Sequence, residues 1–309
     1  MKKCVIIMNP ESGKKKKINT YEVFYDILRK YGYEAEIILT KARGDGEKII
    51  QSLSEDIDLV ICAGGDGTLN EVVAGNLKRD IPLTLAPLPM GSTNDVGLMY
   101  GLDQNVLENL DAILNGEEKK VDICFINHRP FVYVACFGDY IDLAYATPRS
   151  LKSRYGNLAY ILYGVRQLRN KIHQYHIKYR VDGCEYSGEY SFLFISNSSR
   201  IAGQPDVYYD VKLNDNMFEV ALAKVKDKKE MLRMLVLINT IDVKDIPNIT
   251  YYRCNHFEVE FLDRPKTSWC IDGEEYKTTK KKFIFTIDKK TEMMLPKENV
   301  LRLFEKDSK

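Results

Sequence analysis

The sequence predicts an α/β N-terminal domain followed by a C-terminal antiparallel β domain. Three observations carry that expectation. Short β-branched runs alternate with helical periodicity from residue 4 to a helix expected from about Thr93. Polar, glycine-containing turns follow three of those runs. Beyond about residue 120 the chain turns rich in tyrosine and β-branched residues broken by Asp-Gly hairpin signals.

Each element follows from local pattern. CVIIMN at 4–9 is a buried-strand run stopped by Pro10. Val23, Phe24, Ile27, Leu28 and Tyr31 recur at helical spacing after an Asn19/Glu22 capping box, and Gly32 supplies the stop. EAEIILT at 34–40 is a second strand, and a helix near 46–54 follows. DLVICAGG at 58–65 leads into a helix from about Leu69, with Thr68 and Glu71 as its capping box. IPLTLAPLP at 81–89 leads into the helix from about Thr93, capped by Ser92 with Asp95. The second half gives strand or hairpin signals at 181–186, 191–199, 218–225 and 271–276, and a helical pattern at 157–169.

Composition narrows the function class. Lys+Arg total 45 against 44 Asp+Glu, so no net field draws the chain to nucleic acid. A mean hydropathy of −0.30 and the lack of any run near the ~20 apolar residues of a membrane span point to a soluble, cytoplasmic protein. MKKCVIIMNP turns polar too early for a signal peptide. The seven dispersed cysteines, without CxxC spacing, read as reduced core thiols. His128, His173, His176 and His256 lack HExxH spacing, and no GxSxG elbow occurs, which argues against metal-hydrolase and serine-nucleophile chemistry.

The chemistry concentrates in the turns. GGDGTLNE at 64–71 follows an apolar strand and opens a helix. Gly64, Gly65 and Gly67 allow close backbone approach to an anion at a helix N-terminus, with Thr68 at its start. Asp66 beside such a phosphate site would repel it unless it faces Mg²⁺ or accepts a proton. The Gly-Asp-Gly at 44–46 lacks a buried strand before it and reads as a plain turn. MNPESGKK at 8–15 adds Asn9, Ser12, Gly13 and Lys14, and it is not a Walker A loop. PMGSTND at 89–95 adds Gly91, Ser92, Thr93, Asn94 and Asp95. Three such turns at strand ends converge on one sheet edge, as a nucleotide site requires.

In order and spacing, NPESG, GGDGTLNEV and PMGSTND resemble the diacylglycerol kinase catalytic-domain family, which includes bacterial lipid, sphingosine and ceramide kinases. GGDGT alone is shared with NAD kinases and phosphofructokinases. The resemblance continues through SLKSRYGNLAY at 150–160, VKLNDNMFEV at 211–220 and IDGEEY at 271–276. It implies an α/β domain over 1–122, a β-sandwich domain over 123–290 and a segment from 291 to 309 that returns to the first domain.

It further implies ATP and Mg²⁺, with Asp215 and the backbone of Met217 near a metal and Asp95 holding magnesium and its waters. Asn216 stands where the family has Gly, and Tyr209 where it has Pro. The base on the acceptor hydroxyl is Glu274 or Asp66. The expected acceptor is a lipid alcohol drawn from a bilayer, with transient membrane contact and no nucleic acid; Arg149, Lys152 and Arg154 beside the 157–169 helix read either as that docking surface or as an ordinary solvated face. A homodimer is an open expectation. The alternatives are an NAD-kinase-like enzyme and a non-catalytic lipid or nucleotide sensor.

Overall fold

The computed structural model describes residues 1–12, 21–139, 172–265 and 267–305. Gly13, Lys14, Asn19, Arg149, Lys152, Arg154 and the helical pattern at 157–169 lie outside them. The chain forms two compact units, one of Met1–Ile123, Lys212–Asp215 and Lys289–Lys309, the other of Cys124–Val211 and Asn216–Asp288.

The first unit is a parallel sheet in the order β2 (Tyr33–Leu39), β1 (Lys2–Met8), β3 (Leu59–Gly64) and β4 (Leu85–Pro89). A late strand, Lys282–Leu295, reaches this unit, where Met293 pairs in parallel with Leu85. β3 and most of β1 are buried at every position, as strands covered on both faces are. Around the sheet lie α1 (Glu22–Lys30), α2 (Asp45–Ser52), α3 (Asp66–Asn76), α4 (Asp95–Met99) and α5 (Val106–Leu114). α1 turns Phe24 and Leu28 inward, and Gly32 follows it with φ 80°.

Helix starts differ from the sequence expectation. α3 begins at Asp66, three residues before Leu69, so Thr68 and Glu71 lie inside the helix and make no capping box. Glu71 instead accepts from the N–H groups of Gly44 (2.7 Å) and Gly46 (3.1 Å), and so serves the start of α2. Of the Gly-Asp-Gly at 44–46 only Gly44 is a turn residue, at φ 81°; Asp45 and Gly46 open α2, and Asp45 accepts from the N–H groups of Lys41 and Ala42.

The second unit is antiparallel. One sheet runs β12 (Ile249–Cys254), β11 (Phe218–Ala223), β10 (Phe192–Ser196), β7 (Val134–Gly138), β14 (Trp269–Ile271) and β15 (Glu274–Tyr276). The other places β13 (His256–Phe261) between the start of β16 (Lys282–Leu295) and the β8–β9 hairpin (Tyr175–Val181, Cys184–Tyr190), and the end of β5 (Glu117–Ile126) pairs antiparallel with β6 (Arg129–Phe131). β8 and β13 alternate buried with more open positions, and their inward residues Ile177, Tyr179, Phe257 and Val259 meet Phe137, Leu193, Phe218 and Val220 of the first sheet in one apolar cluster. Helix α6 (Lys228–Leu237), unforeseen from the sequence, lies between β11 and β12 in the chain. None of the seven cysteines is in a disulfide and six are buried, but Cys184 is exposed because it follows a hairpin turn on an open edge strand.

Candidate active site

The turns of the first unit carry the site. β3 and β4 are parallel neighbours in register from Val60–Leu85 to Gly64–Pro89, so the segments leaving their carboxyl ends start side by side. The contact between those segments is backbone on backbone. A Cβ on Gly91 would sit 2.6 Å from the Gly65 Cα and 2.6 Å from Asn94 Oδ1. A Cβ on Gly64 would lie 2.5 Å from Thr68 Oγ1, so that glycine also answers a close approach.

Asp66 joins the two turns. As the first residue of α3, it accepts from the N–H groups of Asp95 (3.1 Å) and Val96 (3.2 Å), the first two residues of α4. A carboxylate at a helix N-terminus satisfies donors that have no partner within the helix. The expected Ser92/Asp95 cap therefore does not form: α4 starts at Asp95 with Asn94 as N-cap in the left-handed region at φ 54° and no side-chain cap of its own. Asn94 Nδ2 donates to Gly91 O (2.9 Å) and closes the turn, with Ser92 and Thr93 on it. Asp95 is fully buried.

The first turn meets the same place. Asn9 Nδ2 donates to Thr68 Oγ1 at 3.4 Å, and the Asn9 N–H donates to Ala63 O at 2.9 Å. Its side-chain oxygen accepts from the Glu11 N–H, and the Ser12 N–H returns to Asn9 O, a turn built by Asn in the usual way. Thus Asn9, Gly64, Gly65, Asp66, Gly67, Thr68, Gly91 and Asn94 come together in one unit. A small cavity there is lined by Cys62, Gly64, Gly65, Asp66, Pro87, Asn94 and Val96, among others.

The chain returns to this unit at Lys212–Asp215. Leu213 O accepts from the Asp122 N–H (2.7 Å), and the Leu213 N–H donates to Leu303 O (2.8 Å). Lys290 Nζ donates to Asn214 O (3.2 Å) and stands 2.8 Å from the carboxylate of Asp122, which is fully buried. Asp215 is half-buried at the end of this segment, and the next residue, Asn216, takes φ 61°, the left-handed conformation Gly would adopt. Met217 belongs to the second unit.

Among the described residues no group of three His, Cys, Asp or Glu side chains is placed to hold a metal. Asp66 bonds to backbone N–H groups and Asp122 faces an ammonium. This donor set does not suit a closed protein cage. One or two protein carboxylates suffice only for an ion that keeps most of its waters, as Mg²⁺ does.

Glu274 is in the second unit, directly after the β14–β15 turn, where it pairs with Ile271. Its side chain is 30% exposed and stands 3.6 Å from Arg129, whose guanidinium lies 5.2 Å from the centroid of the Tyr276 ring. The turn has Asp272 at φ 48° and Gly273 at φ 82°, a two-residue type I′ loop. The β8–β9 turn is its twin, with Asp182 at φ 50° and Gly183 at φ 77°. Asp272, however, is buried and accepts from the N–H groups of Val132 (2.7 Å), Tyr133 (3.1 Å) and Val134 (3.0 Å). Sequence reasoning missed this anchor because the two turns read alike.

Residues 3–126 match the family model described as the diacylglycerol kinase catalytic domain. A protein of Bacillus subtilis (strain 168) named diacylglycerol kinase is 30% identical over 283 residues, covering 89% of this chain and 90% of the relative. The chain belongs to the diacylglycerol kinase catalytic-domain family. Diacylglycerol kinase of Staphylococcus aureus (strain bovine RF122 / ET3-1) is 31% identical over 275 residues, covering 88% of this chain and 86% of that protein. The crystal structure of a putative diacylglycerol kinase from Bacillus anthracis str. Sterne superposes with a TM-score of 0.80 at 23% identity, over 95% of this chain and 97% of that one, and so shows the fold. Membership makes this chain a phosphotransferase with an alcohol group as acceptor. No helix among the described residues is long and apolar enough to cross a membrane.

Proposed function

We propose that this chain is an ATP- and Mg²⁺-dependent lipid kinase that phosphorylates the hydroxyl of diacylglycerol or a similar lipid alcohol. The observation that carries the reading is the Asp66 clasp, which holds the glycine turns after β3 and β4 together at the carboxyl edge of a parallel sheet. The phosphates of ATP lie on the 64–68 turn, where first-turn N–H groups and close backbone approach favour an anion. Asn9, Ser12, Gly13, Lys14, Gly91, Ser92, Thr93 and Asn94 complete the nucleotide cradle in this reading. Mg²⁺, when bound, neutralises charge on the transferring phosphoryl group, and Asp66, Asp95 and Asp215, with the Met217 backbone, are the residues that would hold it or its waters.

The two candidate bases take different roles in this reading. The oxygens of Asp66 both bond to N–H groups at the start of α4, which suits a residue that fixes the turns and faces magnesium. Glu274, partly open beside Arg129, is the better acceptor of the hydroxyl proton, a contribution of about 10²- to 10⁴-fold in rate. Arg129 holds that carboxylate in place for the acceptor.

The test is transfer of labelled phosphate from ATP to detergent-dispersed lipid alcohols and to NAD, with and without Mg²⁺. Label on a lipid only when Mg²⁺ is present supports the reading and names the acceptor. Label on NAD alone would move the chain to an NAD-kinase-like activity, and saturable binding without transfer would make it a sensor.

A further inference from the structure

The face of α6 that points away from the core has no role in the site described. Its buried side carries Met231 and Met234, both 8% exposed. Its open side carries Lys229, Leu232, Arg233 and Val236, spaced by three, four and seven residues as one helical stripe, with Leu232 at 38% and Val236 at 64% exposure.

The acidic side chains near this stripe are occupied at the helix start. Asp227 accepts from the Glu230 N–H (2.9 Å), and Glu230 accepts from the Lys226 N–H (2.8 Å). Residues 224–233 contain Lys224, Lys226, Lys228, Lys229 and Arg233 against Asp227 and Glu230, in a chain whose whole net charge is +1. Lys224 lies over the Tyr190 ring, whereas Lys229 and Arg233 share the stripe of the two exposed aliphatic side chains and Lys228 stands one helical turn before Leu232.

We infer that this face of α6 docks reversibly on an anionic lipid bilayer. Leu232 and Val236 enter the boundary between headgroups and acyl chains, while Lys228, Lys229 and Arg233 stay at the level of the lipid phosphates. Aliphatic residues on one stripe with cations beside them are the pattern of an interfacial helix, and charge complementarity selects an anionic surface over a neutral one. Two aliphatic side chains make a weak anchor, so the contact depends on anionic lipid and weakens with salt. The inference rests on the lipid-kinase reading, which requires the enzyme to reach an acceptor dissolved in a bilayer.

The test is co-sedimentation of the full chain with vesicles of phosphatidylglycerol mixed with phosphatidylcholine, and with phosphatidylcholine alone, at low and high salt. Wild type should bind the mixed vesicles at low salt and lose them at high salt. The double variants Leu232→Ser/Val236→Ser and Lys229→Glu/Arg233→Glu, on exposed positions, should keep the wild-type melting profile and bind at least tenfold more weakly. Both should keep wild-type turnover on a detergent-dispersed acceptor. Wild-type binding to neither vesicle, or equal binding by the variants, overturns the inference. So does an equal loss of turnover in detergent and on vesicles, or a variant that only dissociates a complex of two chains. Absence of wild-type turnover in detergent would count against the kinase reading alone, because vesicle binding is read without it.

Discussion

Replacing Asp272 should damage the protein far more than the same change in its twin turn. Asp272→Ala removes the acceptor for three backbone N–H groups at 2.7, 3.1 and 3.0 Å in a buried place, and Asp182→Ala removes a side chain at an exposed turn. A hydrogen bond to a charged group contributes roughly 1.5–3 kcal/mol, and an orphaned buried donor costs roughly 1–3 kcal/mol. The three losses are not additive, since they share one carboxylate and water can enter the space it leaves, so Asp272→Ala should cost about 3–5 kcal/mol. Both alanines must also hold the positive φ, a shared cost of about 1 kcal/mol that is all Asp182→Ala should show. Asp272→Asn keeps one acceptor oxygen but turns an NH₂ toward a donor, and should fall between at about 1–3 kcal/mol. The assay is urea unfolding followed by fluorescence of Trp269, the single tryptophan, buried in the strand that leads into this turn. Because Glu274 follows the turn, kinase turnover should fall in the same order. Equal midpoint shifts for Asp272→Ala and Asp182→Ala would refute the anchor.

Three further outcomes follow from the same geometry. Gly91→Ala should force the two turns apart, since its Cβ would meet the Gly65 backbone at 2.6 Å; an overpacking cost of about 1–3 kcal/mol and weaker ATP binding should appear by thermal melt and calorimetry, and unchanged ATP affinity would contradict the shared cradle. Lys290→Met should remove the ammonium that stands 2.8 Å from the buried Asp122 carboxylate, at a cost of about 2 kcal/mol, below a fully buried pair because Lys290 is 40% exposed; an unchanged melting temperature would count against the pair. The Lys282 ammonium at 2.7 Å, and then the His256 ring, hold the Glu258 carboxyl below its ordinary value. That contribution is complete above the ordinary carboxylate value and is lost as pH falls through the depressed one, so Lys282→Met should flatten the acid limb of stability by at most about 1 kcal/mol, measured as urea midpoint against pH.

Much of the first unit was legible because β3, β4 and β1 from Cys4 onward are apolar runs and its helices keep a clear period. The glycine turns were legible as well, since the Gly65 backbone crowds Gly91 and the Thr68 side chain crowds Gly64, which leaves no room for a side chain at either. What sequence could not give was who bonds to whom. Thr68 with Glu71 and Ser92 with Asp95 have the spacing of capping boxes, yet tertiary partners took over: Glu71 serves α2, and Asp66, 29 residues away, caps α4. Spacing reports local options, and the fold chose distant ones. The twin Asp-Gly hairpins make the same point, because Asp272 and Asp182 share one turn and differ only in what lies beneath them. Helix α6 carried a readable signal in Met231, Met234 and its Asp227/Glu230 cap, but it stood within a stretch otherwise full of strand patterns.

The Asp66 clasp is the centre of the proposed phosphoryl-transfer site. The most direct measurement is label transfer from ATP to diacylglycerol in mixed micelles with Mg²⁺, comparing wild type with Asp66→Ala at a temperature where both remain folded by their melts. Loss of the α4 cap should lower stability by only about 0.5–2 kcal/mol, which leaves the variant folded. Labelled lipid from wild type and at least a hundredfold less from Asp66→Ala is the predicted result. Comparable label from the variant would contradict the account.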